Sequence, residues 1–405
     1  MRLLLLSSQF PYPPHAGGAL RSYGLISGLH AAGHELDLLT FVEPDQTPPD
    51  ATPLGALCSR IVTVPAPRRS GKDRLRDLLL SDQADMTRRF YAPDYARILD
   101  RMLSERPYDL VQIESLEMCA YLPQITARKQ RVIYDALNAE SDLQRLIYTV
   151  DRRSPSRWHA AFYSFLQWRR LQKLERQVCA SVDGVVAVSD ADADLLRKLA
   201  PGVKIAVVPN GIYTAEYLPA PTKQLDLGGA ALLFTGTMDY RPNVDAMIWF
   251  VESVLDEVRA AVPEVKLFIV GKSPHTRLGK LRDRADVQIT GYVQDVAPFL
   301  HSASVYVAPL RMGSGTRLKL LQAMAAGCAI VSTRIGAQGL NVSNGREMIL
   351  ADEATSFAQG VVALLRDPEG RKRLGTAAQS LACAEYDWSA IVPKLSAFYE
   401  ELGLG

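Results

Sequence analysis

The sequence predicts an α/β protein of two Rossmann-like parallel-sheet domains facing across a deep cleft. Three observations predict it. Short unbroken apolar runs suit strands covered on both faces, helix-spaced segments separate them, and the alternation breaks once near mid-chain and then restarts. A length of 405 residues, at roughly 150 per domain, agrees with two domains.

Leu3 to Leu6, bounded by Ser7 and Ser8, reads as a buried first strand. The loop PYPPHAGG follows. Leu20, Tyr23, Leu25, Ile26 and Leu29 then fall at helical spacing with Gly33 as the stop, and DLLTF is the second strand. YDLVQI at 108–113, RVIYDA at 131–136 and GVVAVS at 184–189 are further strands. Around VVPNGIYTAEYLPAPTKQ the pattern gives way to Pro, Gly and polar residues, the composition of a linker. Beyond it ALLFTG, KLFIVG, VQITGYV, VYVAPL, AIVSTR and MILA read as strands. WFVESVLDEVRAAV, TRLKLLQAMAAG and ATSFAQGVVALLRD read as helices. The domains are placed at 1–212 and 213–385, with a last helix at 386–405 returning to the first. Open parallel sheets bind at the carboxyl ends of their strands, so a ligand is expected there.

The composition, 48% hydrophobic and 22% charged, excludes wholesale disorder and fibrous repeats. A formal net charge of +2 gives no argument for nucleic acid. Cys58, Cys119, Cys179, Cys328 and Cys383 have no Cys-x-x-Cys spacing, which supports neither a disulfide framework nor a zinc site. The leading leucines are too few for a secretory core and no run approaches a membrane span, so a cytoplasmic chain is expected. One stretch departs from neutrality. Between 145 and 178, Arg145, Arg152, Arg153, Arg157, Arg169, Arg170, Lys173 and Arg176 face Asp151 and Glu175, so eight minus two gives +6. Trp158, Phe162, Tyr163, Phe165 and Trp168 interleave with them. The stretch is either an amphipathic helix on an anionic bilayer, making the protein peripheral at the inner face, or a helix packing its aromatics inward with its basic face in water.

Neither GxGxxG nor GxxxxGK[ST] occurs, which demotes dinucleotide oxidoreductases and P-loop enzymes. The strongest site signal is the loop Gly313, Ser314, Gly315, Thr316 between VYVAPLR and a helix beginning near Arg317. Free N–H groups and the positive helix end favour an anion, and the glycines permit close approach. Arg317 and Lys319 add full charges, although cations at a helix start cost that helix roughly 0.3–1 kcal/mol, which an anionic partner would explain. The plainer alternative is a Ser/Thr cap with solvated charges.

RMGSGTRLKLLQAMAAGCAIVSTRIGAQGL resembles the donor-site signature of the family-four retaining glycosyltransferases, two-domain enzymes of the GT-B fold that use nucleotide sugars. The resemblance extends to FPYPPHAGGALRS, VVPNGIYTAEY, LLFTGTMDYRPNVDAMIWF and TGYVQDVAPFLHSASV. The segment VSDADADLLRKLAP is similar to bacterial transferases of polysaccharide and exopolysaccharide gene clusters.

The resemblance implies roles for individual residues. Gly17 and Gly18 match a glycine-rich loop beside the donor diphosphate and sugar, and Arg21 is placed to reach the phosphates or the acceptor. Gly291, Tyr292 and Val293 fall in the donor half, as do Gly313, Gly315 and Thr316. Two glutamates usual in the family read here as Ser314, at the transferred sugar, and Gln322, at the ribose. The usual Arg and Lys for the diphosphate align with Thr237 and Pro242, so Arg241, displaced by one residue, joins Arg317 and Lys319 as a substitute. A histidine common near the anomeric carbon reads as Leu137, leaving Asn138, Glu140 or Asp135 for a polar contact. Glu140 is taken as catalytic and Asn138 as an acceptor contact.

The resemblance further implies a same-face displacement in which the leaving phosphate helps deprotonate the acceptor hydroxyl. That chemistry needs no flanking carboxylate pair of the glycoside-hydrolase kind, and none is evident. A UDP-sugar is the default donor. The acceptor is a glycan, a lipid-linked sugar or a small molecule, and no cofactor or metal is expected beyond the donor itself, since no DxD-like pair is conspicuous near the donor loop. Two alternatives stand beside this: a nucleotide-sugar 2-epimerase of the same fold, and a noncatalytic nucleotide-sugar-binding scaffold.

Overall fold

The computed structural model describes residues 1–14, 17–44, 46, 48–152, 157–218, 225–273, 275–313 and 315–403, leaving out the side chains of 72, 74, 75 and 79. The chain divides into two compact units, Met1–Asn210 with Ile391–Gly405, and Gly211–Ala390.

The first unit holds seven strands: β1 (Arg2–Ser7), β2 (Glu35–Val42), β3 (Arg60–Pro65), β4 (Leu110–Glu114), β5 (Val132–Ala136), β6 (Gly184–Ala187) and β7 (Ile205–Val207). They lie in the order β3-β2-β1-β4-β5-β6-β7 and every pairing is parallel. The four leucines of β1 are all buried, because helices cover both faces of a parallel sheet. On one face Leu4 and Leu6 join Phe41, Tyr95 and Leu99 in the core. The first helix, Gly17–Ala31, ends where Gly33 adopts φ 85°, and His34 N–H closes the turn onto Leu29 O at 3.1 Å.

The second unit holds six parallel strands: β8 (Ala231–Thr235), β9 (Lys266–Val270), β10 (Val287–Gly291), β11 (Val305–Ala308), β12 (Ile330–Ser332) and β13 (Ile349–Leu350), in the order β10-β9-β8-β11-β12-β13. Its core is built on Phe234, Met247, Phe250 and Phe357, the last two edge to face at 5.8 Å. In both sheets the strand order reverses beside the first strand of the unit, between β1 and β4 and between β8 and β11. Crevices for ligands open at the carboxyl ends of the strands at such reversals.

Several elements differ from the expectation. The helix predicted over WFVESVLDEVRAAV is two, Arg241–Ser253 and Leu255–Ala261, broken at Val254 (φ −121°, ψ −45°). The MILA strand shrinks to two residues. Strands β3 and β7 were not predicted; their residues are mostly half-buried and do not form a fully buried run. Gly17 and Gly18 are not a loop but the first two residues of a helix. The described residues of the basic stretch fall mostly on two helices, Glu140–Asp151 and Trp158–Ser181, which pack together with Tyr148 5.5 Å from Phe165 and 6.0 Å from Trp168, while Arg153 lies outside the described residues.

The last helix, Trp388–Glu401, lies mostly in the first unit. Gly28 and Gly184 make room for it. A Cβ at Gly28 would stand 2.2 Å from Val392, and one at Gly184 2.7 Å from Phe398. Tyr399 OH donates to Gln112 Oε1 at 2.5 Å.

Candidate active site

In the second unit three neighbouring strands run into glycines with positive φ: Gly236 after β8 (146°), Gly271 after β9 (155°) and Gly291 at the end of β10 (76°). Side chains are excluded from this edge by contact as well as by conformation. A Cβ at Gly271 would lie 1.7 Å from Gly236 O, and one at Gly236 would lie 2.5 Å from Lys319 Nζ. Gly271 N–H donates to Gly291 O at 3.1 Å, tying the edge together.

Lys319, in the first turn of the Leu318–Ala325 helix, sends its ammonium to this edge. Nζ donates to Asn243 Oδ1 at 2.7 Å and lies 4.2 Å from the centre of the Phe234 ring. Asn243 is held in turn by its Nδ2, which donates to Thr237 O at 2.9 Å. As a residue Lys319 is half-buried, but its charged end is packed inside. Burial first, and then the charge of Arg317, lower its pKa from 10.5 to about 7. Arg317 occupies the cap position of the same helix, and burial lowers its pKa too. Its guanidinium lies against Gly313, where a Cβ would stand 2.7 Å from Nη2. Two desolvated cations of like sign within one turn raise each other's energy, and an anion between them would relieve both.

Both glycines of the loop need their left-handed backbone: Gly313 has φ 113° and Gly315 φ 74°. Ser314 lies outside the described residues. Thr316 Oγ1 is buried with no hydrogen-bond partner among the described residues, and the backbone of Gly339 (φ 81°) passes beneath it. A buried hydroxyl left in this way is costly unless a ligand pairs with it. Gln322 commits its amide, Nε2 donating to Tyr217 OH at 2.9 Å, and burial pushes that phenol up to about 12. Arg241 is the first residue of its helix and exposed, making no hydrogen bond to a described residue, so no contact draws it into the Lys319 cluster. Tyr292 stands exposed just past β10, with Val293 half-buried beside it.

In the first unit the structure corrects the expectation for Arg21. The side chain is 1% exposed, and its donors are taken within the chain. Nε and Nη2 bind Asp135 at 3.0 and 2.7 Å, and Nη1 reaches Val208 O, Pro209 O and Asn210 Oδ1 at 3.0 to 3.2 Å. It pins the end of the first unit's chain to β5 and has nothing left for a phosphate or acceptor. Asp135 is consumed by the same pair. Gly18 serves Gln9, whose amide nitrogen would lie 2.2 Å from a Cβ there, while Gly17 opens the helix and is exposed.

Glu140 begins the Glu140–Asp151 helix and accepts from Asn138 Nδ2 at 3.1 Å. Burial, with Glu117 and Asp192 nearby, raises its pKa to about 7. Glu117 is raised by burial as well, and Arg89 faces it at 3.4 Å. Glu140 and Asn138 are therefore brought together at the carboxyl ends of β4 and β5, with Glu117 and Arg89 as neighbours that the sequence did not flag. Leu137 stands beside them, half-buried. Gly236, Gly271 and Asn243 were also missed. The first two had a signal, since FTG and IVG each close a strand-like run; Asn243, Glu117 and Arg89 had none. Among the described residues no group of three or more His, Cys, Asp or Glu is arranged to hold a metal ion.

Residues 16–211 match the family described as Glycosyl transferase 4-like domain, and residues 229–367 match Glycosyl transferases group 1. The chain is 24% identical over 402 residues to a phosphatidyl-myo-inositol mannosyltransferase of Mycolicibacterium smegmatis, covering 96% of this chain and 92% of that one. Its fold is similar to a sucrose-phosphate synthase from Thermosynechococcus elongatus, with TM-score 0.74 and 17% identity over 100% of this chain and 99% of the other. It is also similar to Anabaena HepE in complex with UDP, with TM-score 0.69 and 14% identity over 99% and 100% of the two chains.

Proposed function

Because the chain belongs to the glycosyl transferases, joining a 4-like domain to a group 1 domain, we propose that it moves a sugar from a UDP-sugar to a hydroxyl acceptor with retention of anomeric configuration. The observation that carries this reading is the Arg317 and Lys319 pair, two buried cations beside glycine-edged strand ends where the sheet order reverses. In the transfer the glycosidic C–O bond to the diphosphate breaks and the departing oxygen gains negative charge. Arg317 and Lys319 stabilise that charge, with Thr316 Oγ1 as a further donor. The acceptor oxygen bonds to the same face of the anomeric carbon, and its proton passes to the leaving phosphate. Gln322 offers its Oε1 to a ribose hydroxyl, Tyr292 and Val293 lie beside the nucleotide, and Glu140 with Asn138 orients the acceptor.

UDP as the nucleotide is supported by the similarity of fold to UDP-bound HepE. A lipid-linked acceptor draws on the mannosyltransferase relative, whose name specifies a phosphatidylinositol, and goes with a cytoplasmic protein at the inner face of a membrane. No metal takes part in this reading. The test is a thermal-shift and hydrolysis screen over UDP-, GDP-, ADP- and TDP-sugars with and without EDTA, since a bound donor stabilises the fold according to its affinity. A shift with UDP-sugars that survives EDTA is expected. Isomerisation of UDP-N-acetylglucosamine without acceptor would instead make the chain an epimerase.

A further inference from the structure

We infer that the exposed side of the helix pair Glu140–Asp151 and Trp158–Ser181 docks on an anionic bilayer surface; this deepens the lipid-linked acceptor proposed above and rests on that reading for its purpose, though not for its chemistry. Among the described residues thirteen large apolar side chains are exposed, and seven of them fall on these two helices. Leu146, Ile147 and Val150 occupy one side of the first helix at i, i+1 and i+4. Trp158, Phe162 and Phe165 occupy one side of the second at i, i+4 and i+7, with exposures of 65%, 63% and 38%. Continued at the same spacing, that side carries Arg169, Lys173 and Arg176, all exposed. The stripe thus changes from aromatic to cationic along one helix. Its opposite side, with Ala161, Ser164, Leu171, Glu175 and Val178, is buried and does the packing. Tyr148, 5.5 Å from Phe165, brings the two apolar sides next to each other.

The charges choose the partner. Arg152 is exposed and lies 5.8 Å from the Tyr148 ring, and Lys173 has only a 3.5 Å pairing with the well-exposed Asp82. The one acid inside the second helix, Glu175, is buried against the backbone N–H groups of Glu140 and Ser141, so it cancels nothing at the surface. A second copy of this chain would meet the side with the same excess of cations. An anionic lipid surface offers opposite charge together with an interfacial zone that takes up Trp and Phe rings. No helix of the described residues is long and apolar enough to cross a membrane, so the contact is interfacial.

Full-length protein is floated with vesicles of phosphatidylcholine alone and of phosphatidylcholine with about 30 mol% phosphatidylglycerol. Flotation with the anionic vesicles and its loss at about 0.5 M salt are expected. Combining Trp158→Ser and Phe162→Ser weakens it roughly tenfold or more. The thermal shift given by UDP stays unchanged in that variant. Absence of flotation with either vesicle, or equal flotation of the double variant, overturns the inference. A dimer in sedimentation that the double variant dissolves also overturns it and assigns the side to a second copy. Vesicle binding and the UDP shift are separate readouts, so a failed donor screen leaves this inference standing, and a failed flotation leaves the transferase proposal standing.

Discussion

Lys319 Nζ donates to Asn243 Oδ1 across 2.7 Å, which holds the ammonium against the glycine edge after β8 with its pKa lowered to about 7. Near pH 8 the unliganded side chain is mostly neutral, and a diphosphate that restores its charge draws in a proton. UDP binding at about pH 8 is therefore expected to take up close to one proton. Calorimetry in buffers of different ionisation enthalpy measures this, and Lys319→Met removes it. Heats that do not depend on the buffer would refute the assignment. The same shift has a stability sign. Between the lowered pKa of about 7 and the ordinary 10.5 the unfolded chain binds more protons than the native one, so this lysine makes stability rise with pH there.

Arg317→Ala should lower turnover roughly 100-fold or more, the scale of losing one donor to a developing anion. Since the charge of Arg317 helps to lower the Lys319 pKa, the substitution should also raise that pKa in the unliganded protein and shrink the proton uptake on UDP binding. Activity near wild type would sink the role given to Arg317.

Arg21→Ala is expected to act on folding, not on donor affinity. It strands Asp135, which is fully buried, and one-sided removal from a buried ion pair costs about 3–5 kcal/mol. Replacing both partners, with Arg21→Met and Asp135→Leu, should recover part of the loss in a urea titration. A folded Arg21→Ala protein whose only defect is a raised KM would show instead that the arginine binds substrate.

Glu114, Glu140 and Glu175 have pKa values raised by burial from 4.5 to about 7. Between those values the native state binds more protons than the unfolded chain. Their contribution is full below 4.5 and is lost as pH rises through about 7, the opposite sense to Lys319. Glu114 is buried and accepts from Ser22 Oγ, so Glu114→Gln should flatten the fall in melting temperature between about pH 5 and 7. An unchanged slope would rule Glu114 out as a contributor.

The two sheets were legible because β1, β4, β5, β8 and β11 are buried along nearly their whole length and so read as apolar runs. Strands β3 and β7 lie at the sheet edges, half in solvent, and leave a weaker trace. In the site, the Gly-x-Gly loop with Arg317 and Lys319 was visible because glycine and charge occur within a few residues. Arg21 was misjudged for the reverse reason: its partner Asp135 is 114 residues away, and no local spacing distinguishes a buried arginine from a binding one. Asn243 and Lys319 are 76 residues apart, and only the fold brings them together.

The Trp388–Glu401 helix imposes an order on synthesis. Phe398 and Val392 occupy the hollows at Gly184 and Gly28, and Tyr399 completes the hydrogen bonding of Gln112. A nascent chain that has emerged only as far as residue 210 carries every strand of the first sheet with those hollows still open. The amino-terminal half therefore gains these contacts only after the whole second unit, Gly211–Ala390, has been translated.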